Sequence, residues 1–331
     1  MIGWYVHHHG FGHVTRFLAV RPHVQDEVAV FSSLAPPAGL PEATAWIRLP
    51  ADDTPIVRAD GSAKRPQQAD PTAGGALHWA PLGHRGHRAR LARIAAELDA
   101  RDADTMVVDV SAEVAALARL LGMRTVVVTQ PGERRDPAHR LAYDLATRVL
   151  APWSRGVLPD PVAGAEVSFT GGISRGDGRS LAGRLEERSV LFLGQVAEPA
   201  VLAEAIRLLA ADGWTCRTAG TAHDDRVEDP WPLLSGSTVV VSAAGQNSVA
   251  DLAAAGARAV VVPQERPFGE QHETGRALRR FGLAEVAEPA PDATVIARLV
   301  RSAAVRRPDW SAWGVDGAAR RAAAVIEGAR A

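Results

Sequence analysis

Two short segments of the chain combine glycine with polar side chains in patterns that suit chemistry. The first is the sequence HHHGFGH at positions 7–13, directly after an apolar strand-like run at 2–6. Its last residue, His13, is of a type that titrates near neutral pH and can remove a proton from a hydroxyl group. Successive strand residues face opposite ways, so the consecutive histidines 7–9 do not converge on one ion, and no metal site is expected there.

The second segment is the tetrapeptide GQNS at 245–248, which lies between a strand-like run at 238–242 and a helix-like run. A strand that turns through glycine into a helix presents free backbone N–H groups, and the helix dipole adds positive potential there. An anion, above all a phosphate, is favoured at such a position. An ordinary strand-to-helix turn has the same pattern, so this segment alone leaves both interpretations open.

A carboxylate is expected near the first of these segments. Asp109 lies in a strand-like run at 105–110, and in open α/β sheets ligands bind at the carboxyl ends of the strands. Asp109 is therefore a candidate either to orient His13 or to contact a bound ligand. The neighbouring Ser111 either faces the same ligand-binding edge of the sheet as His13 or, as the ordinary alternative, caps the next helix.

The segment LHWAPLGHRGHR at 77–88 combines aromatic, histidine and arginine side chains. His78 and Trp79 within it are candidates to contact a ligand that is anionic or ring-shaped. The solvated start of a helix has a similar composition, and both interpretations stay open.

Strand-like and helix-like runs alternate in two series, separated by a segment rich in proline and glycine. Strands separated by helices are typical of parallel sheets with helices on both faces. We therefore predict an α/β fold of two Rossmann-like domains. The predicted boundaries are 1–153 for the first domain, 154–188 for the connection, 189–311 for the second domain and 312–331 for a final stretch whose helix packs back on the first. The run 137–150 is predicted to be one helix, and 166–170 a short strand of the connection.

Composition excludes several classes of function. The 331 residues suffice for two cores, and 37 basic against 38 acidic side chains leave no excess charge to attract nucleic acid or an anionic membrane. The single cysteine, Cys216, excludes an internal disulfide. No apolar run is long enough to span a membrane, and the N-terminal residues lack the pattern of a secretory signal. We expect a cytoplasmic protein without a transmembrane segment; composition does not indicate its oligomeric state.

Residues 242–278, SAAGQNSVADLAAAGARAVVVPQERPFGEQHETGRAL, resemble the donor-binding segment of GT-B glycosyltransferases of family 28. That family includes the peptidoglycan enzyme that transfers N-acetylglucosamine from UDP onto lipid I. Its pattern runs strand, S-G-A-x-T, helix with an acidic residue, A-A-A-G-x-P, strand, V-P and a Gln-Gln pair. The resemblance implies a GT-B fold, in which two Rossmann-like domains face each other across a cleft, and a glycosyltransferase whose second domain binds the sugar donor.

The resemblance also implies individual donor contacts. The implied donor-binding residues are Gly194, Gly245, Gln246, Asn247, Ser248, Asp251, Glu270 and Gln271, with Arg175 at the nucleotide base. Asp251 is implied to hold the ribose hydroxyls, and the pair Glu270 and Gln271 to bind the donor sugar. The chain departs from the family where Gly194 begins GQVA instead of G-G-S-x-G, and where Asp251 and Glu270 replace a glutamate and a glutamine. These departures bear on one phosphate contact and on the identity of the sugar and the nucleotide.

The N-terminal loop agrees with this resemblance, since members of the family carry G-x-G-G-H or G-x-G-H after the first strand. The catalytic candidates are His13 and Asp109, and the acceptor-side candidates are Gly10, Phe11, Gly12, His78 and Trp79. The implied reaction is an inverting transfer of a sugar from a UDP- or dTDP-sugar to a hydroxyl group. The acceptor is a small molecule or a lipid-linked envelope precursor, and neither a metal ion nor a cofactor is expected.

Other functions remain open. Nucleotide-sugar hydrolases and epimerases use the same fold, and a hydrolase loop G-x-G-H-V-x-R resembles residues 10–16. In a hydrolase water takes the place of the acceptor, so release of free sugar without any acceptor distinguishes it from a transferase. The altered loop at Gly194 also fits a non-catalytic partner subunit, which would bind the donor without turnover.

Overall fold

In the computed structural model the chain is described over residues 1–8, 10–57, 60–161, 164–181, 186–221 and 227–329. His9 of the N-terminal loop, parts of the predicted connection and the last two residues of the predicted final stretch lie outside these ranges. The described chain forms two large parallel sheets, one of seven strands and one of five, each with helices packed against it. This arrangement confirms the predicted α/β fold of two Rossmann-like halves.

The first half of the chain supplies the larger sheet. The strands of this half of the chain are β1 (Ile2–Tyr5), β2 (Val28–Ser32), β3 (Thr44–Arg48), β4 (Ile56–Val57), β5 (Ala63–Lys64), β6 (Thr105–Asp109), β7 (Arg124–Val128), β8 (Arg148–Ala151) and β9 (Glu166–Phe169). The strand order is β3-β2-β1-β6-β7-β8-β9, all parallel, while β4 and β5 form a separate antiparallel pair. Strands β1, β2 and β6 are completely buried, as expected for a parallel sheet covered on both faces.

The helices that pack on this sheet include α1 (Gly12–Val20), α2 (Arg85–Ala100), α3 (Ala112–Leu120) and α4 (Pro137–Leu145). The prediction of one helix over 137–150 is wrong at its end, because α4 stops at Leu145 and β8 follows. Asp136 caps the start of α4 and Pro137 occupies its first turn, which fixes where the helix begins. The apolar run after it is buried as a strand between β7 and β9, so tertiary packing decides its conformation.

The second half of the chain supplies the smaller sheet. Its strands are β10 (Glu186–Leu193), β11 (Thr215–Ala219), β12 (Ser237–Ala243), β13 (Ala259–Val262) and β14 (Glu285–Val286). Its helices are α5 (Pro199–Ala211), α6 (Trp231–Gly236), α7 (Gln246–Ala254), α8 (Glu270–Arg280) and α9 (Ala293–Ala304). The strand order β11-β10-β12-β13-β14, all parallel, places β12 at the centre, directly before α7.

Two elements tie the halves together. β9 pairs with β8 and is the edge strand of the first sheet, although its residues lie in the segment that the sequence assigns to the connection. The final helix α10 (Ala318–Gly328) buries an alanine-rich face against α1, where Ala322 and Ile326 share one core cluster with Val14 and Phe17. The chain therefore crosses from the first half to the second and returns.

The carboxyl ends of the parallel strands in the two sheets lie beside one cleft. The loop after β1, the end of β6 and the loop after β7 border it on one side, and the turns after β12 and β13 border it on the other. Such edges are where open α/β sheets bind ligands. Over the described ranges, none of the helices has both the length and the apolar character that crossing a bilayer requires.

Candidate active site

The cleft has a volume of about 1090 Å³, enough for a ligand of cofactor size. The first domain contributes Gly10, Gly12, His13 and His78 from the predicted acceptor side, and the second contributes residues 244–248 and part of 266–274. The cleft thus brings together residues that the sequence places more than two hundred positions apart.

His13 lines this cleft and forms a pair with the buried Asp109. The imidazole Nδ1 of His13 lies 3.1 Å from Oδ2 of Asp109, and the two side chains are 11% and 1% exposed. Burial raises the pKa of the Asp109 carboxyl, but the Arg16 guanidinium and His13 outweigh burial, so the net shift is downward and Asp109 is ionised. A carboxylate beside Nδ1 favours a proton on that nitrogen and leaves Nε2 to accept one, which is the arrangement of a general base.

The backbone directly after Asp109 is strained. Val110 has a φ of 63°, in the left-handed region that a β-branched residue rarely adopts. Ser111 then accepts a hydrogen bond from the N–H of Val114 at 3.2 Å and caps α3, so its side chain serves the helix. A strained backbone persists only where the surrounding structure holds it in place, often at functional sites. Here the strained residue directly follows the buried carboxylate.

Arg16 connects the two domains across the cleft. It follows His13 by three positions on α1, and its side chain is 3% exposed. Its Nη1 lies 2.7 Å from Oδ1 of Asp109, and its Nη2 donates to Oε1 of Gln246 at 2.7 Å. A second bridge runs from Nδ2 of Asn247 to the carbonyl oxygen of Gly12 at 2.5 Å. The start of α1 therefore meets the start of α7.

The N-terminus of α7 is open to a ligand. Gly245 precedes the helix with φ −63° and ψ 140°, and within the described chain no side chain bonds the first N–H groups of the helix. By contrast α3, α4 and α9 are each capped by a side chain: Ser111, Asp136 and Asp292. The uncapped end of α7 lines the cleft with Gln246, Asn247 and Ser248, so the local structure suits an anion.

A chain of hydrogen bonds occupies the other end of the cleft. The buried Arg134 lies 3.2 Å from Oε2 of Glu270 across the domain boundary and donates to Nε2 of His139 at 2.8 Å. The other ring nitrogen of His139 lies 2.5 Å from Oδ2 of Asp136, whose Oδ1 lies 3.0 Å from Nε2 of His78. Glu270, an implied sugar contact, is therefore held by a cation of the first domain.

His78, Asp136 and His139 bring their ligand atoms within 4.8 Å of one another, which raises the question of a metal ion. Arg134 donates to Nε2 of His139, so the ring proton lies on Nδ1, the nitrogen that faces Asp136. A metal ion would need that nitrogen deprotonated, and it would lie beside a guanidinium and the positive end of α4. The geometry therefore favours a hydrogen-bonded chain over a cation site.

The neutral His139 is expected to make stability sensitive to mild acid. Burial lowers its pKa from 6.5 to about 4, because the bond to Asp136 that raises the pKa does not compensate. The unfolded chain takes up the proton first, so the free energy of unfolding should fall as the pH drops from 6.5 to 4. The lowered pKa of Asp136 acts in a separate window, below its ordinary value of 3.8.

Urea unfolding at about pH 7 and pH 5 measures this effect. The His139→Gln variant should lose less stability between the two pH values than the unaltered protein. His23→Gln, at an exposed position, is the matched control and should leave the loss unchanged. Equal losses in His139→Gln and the unaltered protein would contradict the assignment.

Several implied donor residues lie outside the cleft lining. Asp251 is mostly buried on α7 and accepts a hydrogen bond from Ser174 at 2.5 Å, and burial raises the pKa of its carboxyl. The exposed Arg175 follows Ser174 and is close enough to lower that pKa. Gly194 has a φ of 73° and lies at the end of β10, where its N–H bonds β11.

Gln271 acts inside the second domain. Its side chain is 5% exposed, and Oε1 accepts from the N–H of Ala244 at 3.1 Å and from that of Gln264 at 3.0 Å. It therefore holds the turn after β12 against the turn after β13. Its amide nitrogen lies near Gly245, at 4.0 Å from the position of a Cβ there.

Two acceptor-side candidates, Trp79 and Phe11, are not among the residues that line the cleft. Trp79 donates its backbone N–H to Glu113 at 2.9 Å and its ring N–H to the carbonyl of Asp52 at 3.1 Å, which anchors the segment that carries His78. Phe11, at the start of α1, is 58% exposed. Of the segment 77–88, Leu77 and His78 line the cleft.

The sequence alone assigned no role to Arg16, Arg134, His139 or Phe268, all of which line the cleft. Arg16 carried a usable signal, because residues three apart on a helix share a face and His13 was already a candidate. Arg134 and His139 carried none, since Arg134 meets Glu270 only through the packing of the two domains and His139 takes part only through its bond to Arg134.

Comparisons with known proteins agree with this architecture. No protein-family model matches the chain, and no curated protein matches it significantly. Among solved structures, MurG of Acinetobacter baumannii superposes with a TM-score of 0.62 at 16% identity over 99% of both chains. The spinosyn rhamnosyltransferase SpnG gives 0.65 at 16% identity over 100% of both chains. A UDP-glucosyltransferase from Polygonum tinctorium gives 0.66 at 14% identity over 100% of this chain and 98% of that one. The chain therefore has the two-domain GT-B fold of these glycosyltransferases.

Proposed function

We propose that the protein is a glycosyltransferase that moves a sugar from a nucleoside diphosphate to a hydroxyl group of an acceptor. The observation that carries this proposal is the placement of the His13 and Asp109 pair opposite the uncapped start of α7, across one cleft. Supporting it, SpnG has been solved with thymidine diphosphate and with spinosyn aglycone, so a neighbour of this fold takes both kinds of ligand.

The second domain supplies the donor site in this proposal. The diphosphate lies over the start of α7, where backbone N–H groups and the helix dipole stabilise the negative charge that grows as it leaves. The Asn247 and Ser248 side chains add donors. These groups are fixed before the reaction, so this stabilisation needs neither a metal ion nor a cofactor.

The first domain supplies the base. His13 removes the proton from the acceptor hydroxyl through Nε2 as that oxygen attacks the anomeric carbon. The bond from this carbon to the diphosphate breaks, and its electron pair leaves with the diphosphate. Asp109, ionised and 3.1 Å from Nδ1, stabilises the imidazolium that forms. A single displacement of this kind inverts the anomeric configuration.

The remaining site residues are proposed to set the donor's identity. Asp251, with Ser174 beside it, would bind the ribose, and Arg175 would contact the base of a uridine or thymidine nucleotide. Glu270, positioned by Arg134, would bind hydroxyls of the sugar. Gly10, Gly12 and His78 would border the acceptor, a small molecule or the headgroup of a lipid-linked precursor.

Calorimetric titration with UDP-, dTDP- and GDP-sugars tests the proposal, followed by product analysis with and without hydroxyl-bearing acceptors. We expect one donor to bind and a glycoside to form only when an acceptor is present. Release of free sugar in water alone would identify a hydrolase instead, an outcome that the hydrolase-like pattern at 10–16 makes worth testing. Binding without turnover would indicate a partner subunit, and failure of every nucleotide to bind would contradict the donor site.

Gly245→Ala is expected to weaken donor binding without unfolding the protein. The φ of Gly245 suits any residue, and an added Cβ would lie 3.7 Å from Oγ of Ser248 and 4.0 Å from Nε2 of Gln271, which are ordinary van der Waals distances, at the mouth of the donor site. The methyl group would hold a phosphate away from the helix amides, so affinity for a nucleoside diphosphate should fall about tenfold, or roughly 1.4 kcal/mol.

The matched control is Gly328→Ala, where the added Cβ would meet nothing within 4 Å in the described chain. Calorimetry should give it the dissociation constant of the unaltered protein. An unchanged constant for Gly245→Ala would place the diphosphate elsewhere.

A further inference from the structure

We propose that Arg16, a residue of the acceptor-side domain, contacts the diphosphate of the donor and replaces its present bond to Gln246 with one to a phosphate oxygen. The inference rests on the proposed function, because it assigns a further contact in the same site. In this proposal both domains bind the diphosphate.

The first observation is an unsatisfied donor on a buried cation. Arg16 is 3% exposed and lines the cleft, and two of its nitrogens bond Asp109 and Gln246. Its Nε has no hydrogen-bond partner among the described residues, and neither has the buried amide nitrogen of Gln246. Buried donors without acceptors cost roughly 1–3 kcal/mol each, so a ligand oxygen at this place would be stabilised.

The second observation is the field around Arg16. Helices α1 and α7, each of nine residues, meet with their N-termini, and in the described chain neither start is capped by a side chain. Two positive helix ends and a guanidinium therefore converge on one place. Arg16 pairs with the Asp109 carboxylate through Nη1, and its Nη2, which bonds Gln246, faces the second domain.

The reach of Arg16 is already established by its present bond. Nη2 lies 2.7 Å from the side chain of Gln246, the first residue of α7, so a phosphate over that helix end lies within its range. Gln246 offers a neutral amide oxygen, whereas a phosphate offers charged oxygens that can accept two parallel N–H bonds from one guanidinium, a pairing that adds both energy and geometric specificity. The exchange is therefore favourable, and Gln246 is free to turn its amide nitrogen toward the ligand.

This contact would also link the two halves of the reaction. Nη1 of Arg16 stays on Asp109, the residue that stabilises His13, while Nη2 stabilises the leaving diphosphate. The planar fork of arginine can hold two anions at fixed positions, which the single ammonium of lysine cannot. The predicted signature is recognition of diphosphate specifically, over a nucleoside that lacks it.

The test compares the dissociation constants of a nucleoside and its diphosphate, with uridine and UDP or thymidine and dTDP as the probes. The unaltered protein should bind the diphosphate more tightly, and Arg16→Met should reduce that preference by about 10- to 100-fold while nucleoside affinity changes little. Arg119→Met, at an exposed position on α3, should leave the preference unchanged.

Arg16→Lys guards against misfolding, because it keeps a cation beside Asp109. It should fold, as judged by its thermal transition, and should still lose at least about fivefold of the preference. A merely structural role would weaken nucleoside and diphosphate binding alike. An unchanged preference in Arg16→Lys or in folded Arg16→Met overturns the inference, whereas an unaltered protein that binds neither diphosphate overturns the proposed donor site itself.

Discussion

Replacement of His13 by alanine is expected to lower turnover by about 10²–10⁴-fold, the usual contribution of a positioned general base. The imidazole lies in the cleft with its Nδ1 3.1 Å from an ionised carboxylate, and this holds Nε2 available for a proton. The start of α7 belongs to the other domain, and the replacement leaves Arg16 with its bonds to Asp109 and Gln246, so the affinity for a nucleoside diphosphate should stay close to that of the unaltered protein. Initial rates at saturating donor and calorimetric titration measure the two effects separately.

His23→Ala is the matched control, because His23 is exposed beyond the end of α1 and should leave turnover unaffected. The competing candidate for the base is His7, whose ring centre lies 5.6 Å from that of His13. If His13→Ala kept full activity and His7→Ala lost it, the base would be His7. If both variants kept full activity, the acceptor proton would leave by another route.

The elements whose local signals agreed with their tertiary surroundings were predictable from the sequence. The strand-like run at 238–242 before GQNS corresponds to β12, and the start of α7 at Gln246 follows directly. The run 137–150 behaved differently, because its last residues are apolar in either conformation and only their place between β7 and β9 makes them a strand. The periodicity of apolar residues is a local signal, so it does not indicate which distant strands a segment will pair with.

The candidate site was likewise predictable only where the signal was local. The glycine turns and a histidine of suitable chemistry predicted the segments on the two sides of the cleft. The partners of those residues depended on contacts across the domains, such as Arg134 with Glu270, 136 positions apart. The internal role of Gln271 was equally hidden, since its resemblance to a sugar-binding position did not indicate that its oxygen bonds two backbone N–H groups.

The second large effect is expected at Asp109, where stability and turnover should fall together. Asp109→Asn keeps the shape of the side chain but removes the charge that pairs with the buried Arg16 at 2.7 Å. Leaving one member of a buried ion pair uncompensated costs about 3–5 kcal/mol of unfolding free energy. His13 would also lose the anion that stabilises its protonated form, so turnover should drop even in the molecules that remain folded.

The dependence on pH distinguishes this pair from an ordinary surface contact. The folded state lowers the pKa of Asp109, so its contribution is complete above the ordinary value of 3.8 and is lost as the pH falls below it. The difference between Asp109→Asn and the unaltered protein should therefore be constant from about pH 5 to 7 and shrink near pH 3 in urea unfolding. Asp229→Asn, which removes a half-exposed partner of Arg179, should cost at most about 1 kcal/mol. If both variants lost the same free energy of unfolding at neutral pH, the buried pair of Asp109 and Arg16 would contribute no more to stability than a surface ion pair.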